Sequence, residues 1–452
     1  MKLVLITLIC TLPFLSLLGK SKKGNPMAAL WDNPQFQKEF TASYGVLAGY
    51  EPSLSSEEKE RLRGLIKIIK DKPAKAIIAL QEQIKPEDSA AFDFILANLY
   101  FQDSQLEPAE KYYKQAIEKY PFFRRAHKNL GLLNIQNGNF ESAIQSLSKS
   151  MELGEIDGRA YGLLGYSYLT EGLYFPAEAA YRQAILMQPE LLDWKLGLAR
   201  CLLEMGQYHD AAGMFDTLIK GDTDNSDYWI LQANAFLGMD QTLKAARNLE
   251  VIRRMGAAKV DTLGLLGDIY MNNNMPDLAL NAYVQASDLA ENSDIQLLIK
   301  SAEVLAQTGN FEQSDVIISK IRSNFSEAVN DQDDLKLLTY EAKIARATGD
   351  DARAAVLLVQ IIERDLLNGE AIIELAKYYV DQDKLPEAIT RFEQAQKIRK
   401  YERRALVAHA QALVSNKQYG EALPLLNRAL RIESDRNLKD YTDRVERAAR
   451  KQ

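Results

Sequence analysis

YGLLGYSYLTEGLYFPAEAAYRQAILMQP, residues 161–189, is the stretch from which the fold can be read. Gly165 and Ala177 are small residues twelve apart, Tyr168 and Tyr181 are large residues set beside them, and Pro189 closes the stretch. This spacing predicts two amphipathic helices of about 12–14 residues packed antiparallel, the small residues letting the backbones approach and the large ones filling the space alongside.

The same arrangement extends in both directions. Ala97/Ala109, Gly131/Ala143, Gly165/Ala177, Ala199/Ala211, Ala233/Ala245 and Gly267/Ala279 are six such pairs, each 34 residues after the last. Four residues after each second member stands Tyr113, Leu147, Tyr181, Phe215, Leu249 or Tyr283. Three after each first member stands Tyr100, Asn134, Tyr168, Leu202, Phe236 or Tyr270, of which only Asn134 is not large and apolar or aromatic. Asn137-Gly138-Asn139-Phe140 and Thr308-Gly309-Asn310-Phe311 read as the turn inside a unit, with Gly supplying the left-handed backbone that ends the first helix. Pro108, Pro176, Pro276 and Pro386 precede the second helix's Ala, where a first-turn Pro is tolerated. A weaker pattern continues as Ala302/Ser314, Ala342/Ala354, Ala376/Ala388 and Ala410/Ala422. Ser314 to Ala354 spans 40 residues, so a loop insertion is expected in the polar stretch Ser323–Asp334. Gly64 and Ala76 mark a degenerate first unit, and about eleven units fit between residues 57 and 436.

The pattern resembles the tetratricopeptide repeat family, a 34-residue helix–turn–helix unit. Tyr161, Leu164, Gly165, Tyr168, Ala177, Tyr181, Ala184 and Pro189 fill all eight signature positions of one unit, and Trp229 the leading aromatic position of another. The resemblance implies an all-α fold, a right-handed superhelical α-solenoid. The expected division is an array over 57–328, a second array over 329–436 after the insertion, and a polar capping helix over 437–452 that covers the last exposed face. Residues 24–56 lack the repeat and are rich in aromatics, Trp31, Phe36, Phe40 and Tyr44 among them. They are read as a cap on the first unit, or as a motif that another protein recognises.

Residues 1–23 stand apart. Leu3 to Leu18 are almost wholly apolar behind Lys2, as in a secretory signal, whose apolar run is about 7–15 residues; a spanning helix needs about 20. No Ala-x-Ala site follows, and Lys20, Lys22 and Lys23 put positive charge after the run, as in an uncleaved cytoplasm-side anchor. The chain is therefore expected to be exported, periplasmic or held at an inner membrane, and cytoplasmic if translation starts at Met27. A weaker resemblance, to uncharacterised bacterial envelope repeat proteins sharing Trp31-Asp32-Asn33-Pro34 and the Tyr161–Tyr166 string, implies a role beside energy-coupled outer-membrane transport or envelope assembly.

Composition limits the function. With 55 Lys+Arg against 62 Asp+Glu the formal charge is −7, which disfavours nucleic acid as a partner. Residues 397–452 carry a local +7, read as a solvated surface or as a site for an acidic partner or anionic lipid. The Cys pair, Cys10 and Cys201, forms no disulfide framework or metal motif, and His127, His209 and His409 show no ligand spacing. There is no phosphate loop or nucleophile elbow. No catalytic residue, metal or cofactor is expected, and no small-molecule ligand.

What the family resemblance implies is a scaffold that binds a peptide or extended segment of a partner protein in a concave groove, lined by the second, fifth, ninth, twelfth and thirteenth positions of each unit. Those positions bring forward Phe94, Asn98, Phe101, Arg125, Lys128, Arg159 and Tyr166 at the front, then Asp193, Arg200, Asp227, Asn234, Asp261 and Asp268. Asp193, Asp227 and Asp261 repeat at 34 residues and form an acidic ladder, or else merely favour a helix start through its dipole. Lys336, Lys343 and Arg346 form a further basic patch. Some family members clamp a C-terminal carboxylate through five positions. Asn98, Asn129 and Arg159 match three of them, while Phe94 and Leu163 replace the other two, so the main charge contacts are half missing. Tyr166, Phe94 and Phe101 would alternatively stack on sugars, making the chain an envelope accessory that binds a carbohydrate or lipid polymer.

Overall fold

The computed structural model describes residues 51–71 and 73–451, and within them twenty-three α-helices and no strand. The N-terminal signal or anchor, Met27 and the Trp31 string lie outside the described residues. The described residues fall into two compact units, the first ending at Met255 and the second starting at Gly256.

The first unit holds α1 (Ser56–Asp71), α2 (Pro73–Gln83), α3 (Ala90–Gln102), α4 (Leu106–Lys119), α5 (Arg124–Gln136), α6 (Phe140–Glu152), α7 (Gly158–Thr170), α8 (Tyr174–Met187), α9 (Leu192–Glu204), α10 (Tyr208–Gly221), α11 (Ser226–Gly238) and α12 (Thr242–Arg254). They pair as hairpins, α3 with α4 through to α11 with α12, and the second helix of a hairpin packs on the first helix of the next as far as α10 on α11. First helices α5, α7 and α9 also touch in succession. They are therefore sandwiched and bury most of their length, whereas a second helix such as α4 buries only a stripe, Ala109, Tyr113 and Ala116. The degenerate first hairpin is fastened by ions. Arg61 of α1 holds both oxygens of Asp88 at 2.8 Å and lies 4.8 Å from the Phe92 ring centroid.

The second unit holds α13 (Val260–Asn272), α14 (Pro276–Leu289), α15 (Ile295–Gln307), α16 (Phe311–Asn324), α17 (Asp331–Ala347), α18 (Asp351–Arg364), α19 (Gly369–Asp381), α20 (Leu385–Gln396), α21 (Glu402–Ser415), α22 (Tyr419–Ile432) and α23 (Arg436–Ala449). The insertion is only partly loop. After a 3-10 turn at Ser326–Ala328, part of it becomes the N-terminal turn of α17, 17 residues long against 13 for α15. Asn330 caps that helix, its side-chain oxygen accepting from the backbone of Gln332 and Asp333 at 3.0 and 2.9 Å. Arg322 of α16 grips Glu341 with two bonds of 3.1 and 3.0 Å and also pairs with Asp334. Leu337 and Tyr340 join the core of Leu298 and Ile317, so packing runs unbroken through the insertion. Pro424 lies inside α22. The final helix α23 buries Leu438, Thr442 and Val445 along one stripe.

The repeat's spacing has a direct physical cause. A Cβ added at Gly131 would lie 2.6 Å from Leu147 Cγ, and one at Gly165 would lie 3.0 Å from the Tyr181 ring. Each is the small-to-large pair sixteen residues apart seen in the sequence. The turn repeats as strictly. Ser104, Gly138, Gly172, Gly206, Asp240, Asn274, Gly309, Gly349, Asp383 and Lys417 all have positive φ, from 57° to 84°. Each is followed by an N–H that bonds back to a carbonyl five residues earlier, as Leu173 does to Tyr168 at 2.8 Å, the Schellman closure of a helix end.

Three substitutions test this. At Gly267 a Cβ would run into the buried Tyr283 ring. Gly267→Ala is expected to destabilise by about 1–3 kcal/mol through overpacking, exceeding the ~1 kcal/mol gained in helix propensity, whereas Gly64→Ala, with nothing within 4 Å, should not destabilise. Lys417 holds φ 62° without being Gly, so Lys417→Gly should stabilise by about 0.5–1 kcal/mol, the left-handed cost less the entropy returned to the unfolded chain. Urea unfolding of each variant measures both, and the opposite sign in either case would remove the assigned role.

Candidate functional site

The inner-face positions fall on the first helices, and in the first unit they change character along the array. Phe94, Asn98 and Phe101 on α3 are buried. Phe94 packs against Phe123 with ring centroids 4.7 Å apart, and Phe101 against Tyr113 at 6.5 Å. They are part of the core around α3–α5, so the front aromatics are not open for stacking. Asn98 accepts from the Tyr113 hydroxyl at 2.5 Å and from Asn129 Nδ2 at 2.8 Å. The two asparagines that match a carboxylate clamp are thus hydrogen-bonded to each other inside the protein. Buried amides are costly unless partnered, which accounts for their pairing.

The front cations are also engaged. Arg125 donates to Glu51 at 2.6 Å, and Lys128 lies 3.1 Å from both Glu155 and Asp157. Arg159, half-buried, stands in the first turn of α7, where the Asp157 side chain accepts from its backbone N–H at 3.1 Å.

The middle of the unit is different. Tyr166 on α7 is half-buried, its ring edge-on to Phe140 at 5.6 Å. Burial raises its phenol pKa, and Arg200 opposes that rise. Arg200 on α9 is half-buried, and among the described residues it forms no salt bridge. Asp193 and Asp227, on α9 and α11, are exposed one repeat apart. Burial raises the pKa of Tyr228, reinforced by Asp222, Asp193 and Asp227 and opposed by Arg200, so these charges share one neighbourhood. Asn234 is half-buried on α11.

In the second unit Asp261 is exposed on α13. Asp193, Asp227 and Asp261 each stand in the first turn of their helix, where the dipole favours a carboxylate with or without a partner. Asp268 is taken up internally, accepting from Tyr283 Oη at 2.7 Å and Lys300 Nζ at 2.9 Å. The basic patch is largely neutralised. Lys336 pairs with Asp333 at 3.0 Å and Arg346 with Glu374 at 2.8 Å, while Lys343 lies 5.8 Å over the Tyr340 ring.

Most of the remaining reactive groups are spent on packing. His409 Nδ1 is 3.0 Å from Gln396 Nε2, its ring stacks on Phe392 at 5.5 Å, and burial lowers its pKa. His127 meets the Pro121 carbonyl at 2.9 Å and is likewise lowered by burial. His209 is exposed. Burial pushes the Cys201 thiol up to about 11. Among the described residues no cluster of His, Cys, Asp or Glu could hold a metal ion, and no helix is long and apolar enough to cross a membrane. Sequence reasoning missed Glu51, which lies outside the repeat and meets Arg125 across 74 positions; nothing in the 34-residue period signals that contact.

Helical hairpins stacked so that their first helices share an inner face define a helical-repeat solenoid. Tetratricopeptide repeat models match residues 74–153, 168–235, 260–293 and 373–437, more than half of the chain, and the chain belongs to the tetratricopeptide repeat family, whose repeats serve as protein–protein interaction scaffolds. Among curated proteins it is similar to cellulose synthase operon protein C of Pseudomonas fluorescens, 27% identical over 167 residues, which is 34% of this chain and 13% of that protein. It is also similar to Superkiller protein 3 of Schizosaccharomyces pombe, 28% identical over 99 residues, 22% of this chain and 7% of that protein. The matches therefore span only a small part of either relative. Among solved structures, YrrB, a repeat protein with an unusual peptide-binding site, aligns at 18% identity over 47% of this chain and 97% of its own, with a TM-score of 0.37. The Naa15/Naa10 complex bound to HypK aligns at 14% identity over 82% of this chain and 68% of its own, with a TM-score of 0.39.

The internal role of Asn98 can be measured. Asn98→Ala removes the acceptor of the buried Asn129 amide, and should cost about 1–3 kcal/mol. Thermal unfolding at wild-type stability would show that the pair is not needed.

Proposed function

We propose that this chain is a non-catalytic scaffold that holds an extended segment of a partner protein along the inner face of its first unit, in a bacterial cell envelope, as an accessory to outer-membrane transport or envelope assembly. The observation that carries this reading is Arg200. It is a half-buried cation at the ninth repeat position that forms no salt bridge among the described residues, next along the series to Tyr166 and Asn234, while Arg125 and Lys128 at the front are already paired. An anionic group of a partner would supply the missing counter-charge, and exposed Asp193 and Asp227 would select basic groups beside it. Complementary signs along a groove set register and partner choice more than raw affinity. The apolar N-terminal run supports export, and the membrane is met only through that run if it is retained. Small molecules and nucleic acid are not the expected ligands.

A second reading has one observation of its own, the similarity to cellulose synthase operon protein C. On that reading the inner face serves polymer handling in the envelope, with Tyr166 as the accessible aromatic.

Crosslinking capture from envelope fractions, comparing wild type with an Arg200→Glu, Tyr166→Ala double variant, separates these. A protein captured by wild type and lost with the double variant is the expected result. Identical captures with both would overturn the groove reading, and co-sedimentation of the purified chain with cellulose alone, lost in the same variant, would favour the polymer.

A further inference from the structure

The front of the inner face already has an occupant from the chain itself. Glu51 and Pro52 lie just ahead of α1 and are buried. They line one small cavity with Ala91, Phe94, Phe123 and Arg125. Ala91 and Phe94 hold the second and fifth positions of the first clear repeat, and Arg125 holds the second position of the next, so the two residues sit where a bound segment would sit. The contact is specific. Glu51 Oε2 accepts from Arg125 Nη2 at 2.6 Å, and Oε1 lies in ion-pair contact with Nε. The Glu51 side chain is only 2% exposed. The same guanidinium carbon lies 5.3 Å from the Phe94 ring centroid, so carboxylate, cation and aromatic form one stack. A charge-assisted carboxylate–guanidinium hydrogen bond is among the stronger side-chain contacts, and a cation over a ring adds to it.

Exposure along the array shows the effect. At the second repeat position Ala91 is buried, Arg125 and Arg159 are half-buried, and Asp193 and Asp227 are exposed. The same register position is thus closed at the front and open in the middle. The residue pair also suits its place. Pro fixes its own φ and biases the residue before it to extended backbone, the form in which a segment can lie along a groove.

We infer that the front of the inner face is a subsite for an extended segment with a carboxylate directly followed by proline, and that Glu51-Pro52 fills it in cis as a built-in competitor. This rests on the inner face being the binding surface. A partner that carries an acid–proline pair must displace the chain's own, so the front is closed until displaced while the Arg200 region stays open.

The test uses the full chain and a fluorescein-labelled peptide of its own sequence, residues 48–55 (AGYEPSLS), followed by anisotropy. In Glu51→Lys the cis pair becomes a like-charge contact and the subsite opens; this variant should bind the peptide at least tenfold more tightly than wild type. Adding Arg125→Glu should restore the cis pair and abolish that gain. Pro52→Gly, which leaves the charges in place, should give an intermediate gain and stands in if Glu51→Lys fails to keep wild-type helicity by circular dichroism. Folded Glu51→Lys or Pro52→Gly that binds no better than wild type overturns the inference, as does a gain that survives Arg125→Glu. Capture through Arg200 and Tyr166 is independent of these outcomes, so loss of the front subsite and loss of the scaffold reading are told apart.

Discussion

One steric contact underlies the whole array: a small residue in a first helix facing a large residue of the second, sixteen positions later. Gly131 against Leu147, Gly165 against Tyr181 and Gly267 against Tyr283 show it where no Cβ fits without displacement. Interiors pack densely, so a close crossing fixes where the neighbouring side chains must go. Because every hairpin is built on the same contact, successive hairpins within a compact unit have the same shape and stack side by side. The positive-φ turn is the second part of this constraint, since it sets the reversal that brings the two helices back to back. Where the sequence omits Gly, at Ser104, Asp240, Asn274, Asp383 and Lys417, the backbone still takes the left-handed form, so hairpin packing outweighs the local preference of the residue.

Stacking determines what the inner face can offer. First helices are enclosed by neighbours on both sides, and only a few of their positions remain available. Polar residues at those positions are either committed to the structure or open to a ligand, and the difference is electrostatic bookkeeping among neighbours. Asn98 with Asn129, Arg125 with Glu51, and Lys128 with Glu155 and Asp157 are committed. Arg200, Tyr166, Asp193 and Asp227 lie where the array keeps more surface. The same division recurs in the second unit, where Lys336 and Arg346 are committed to Asp333 and Glu374.

The insertion shows how an irregular segment is absorbed. Its extra residues become a 3-10 turn and an added helical turn, and Arg322 joins them to the core through Glu341 and Asp334. Packing therefore continues where the sequence period slips. The first compact unit ends at Met255, between two repeats that keep the 34-residue spacing.

Helix pairing, turn positions and family were legible from residue spacing because they rest on contacts within about 34 residues, and each unit repeats the same steric rule. Phe94, Phe101 and Asn98 hold groove positions in the period, yet they are buried, since burial depends on what covers a position and not on where it falls in a repeat. The pairing of Arg125 with Glu51 and the hydrogen bond between Asn98 and Asn129 join residues of different units or of no unit. Periodicity specifies which side chains point inward; only the packed neighbours, some 74 positions away, decide which of them still face a partner.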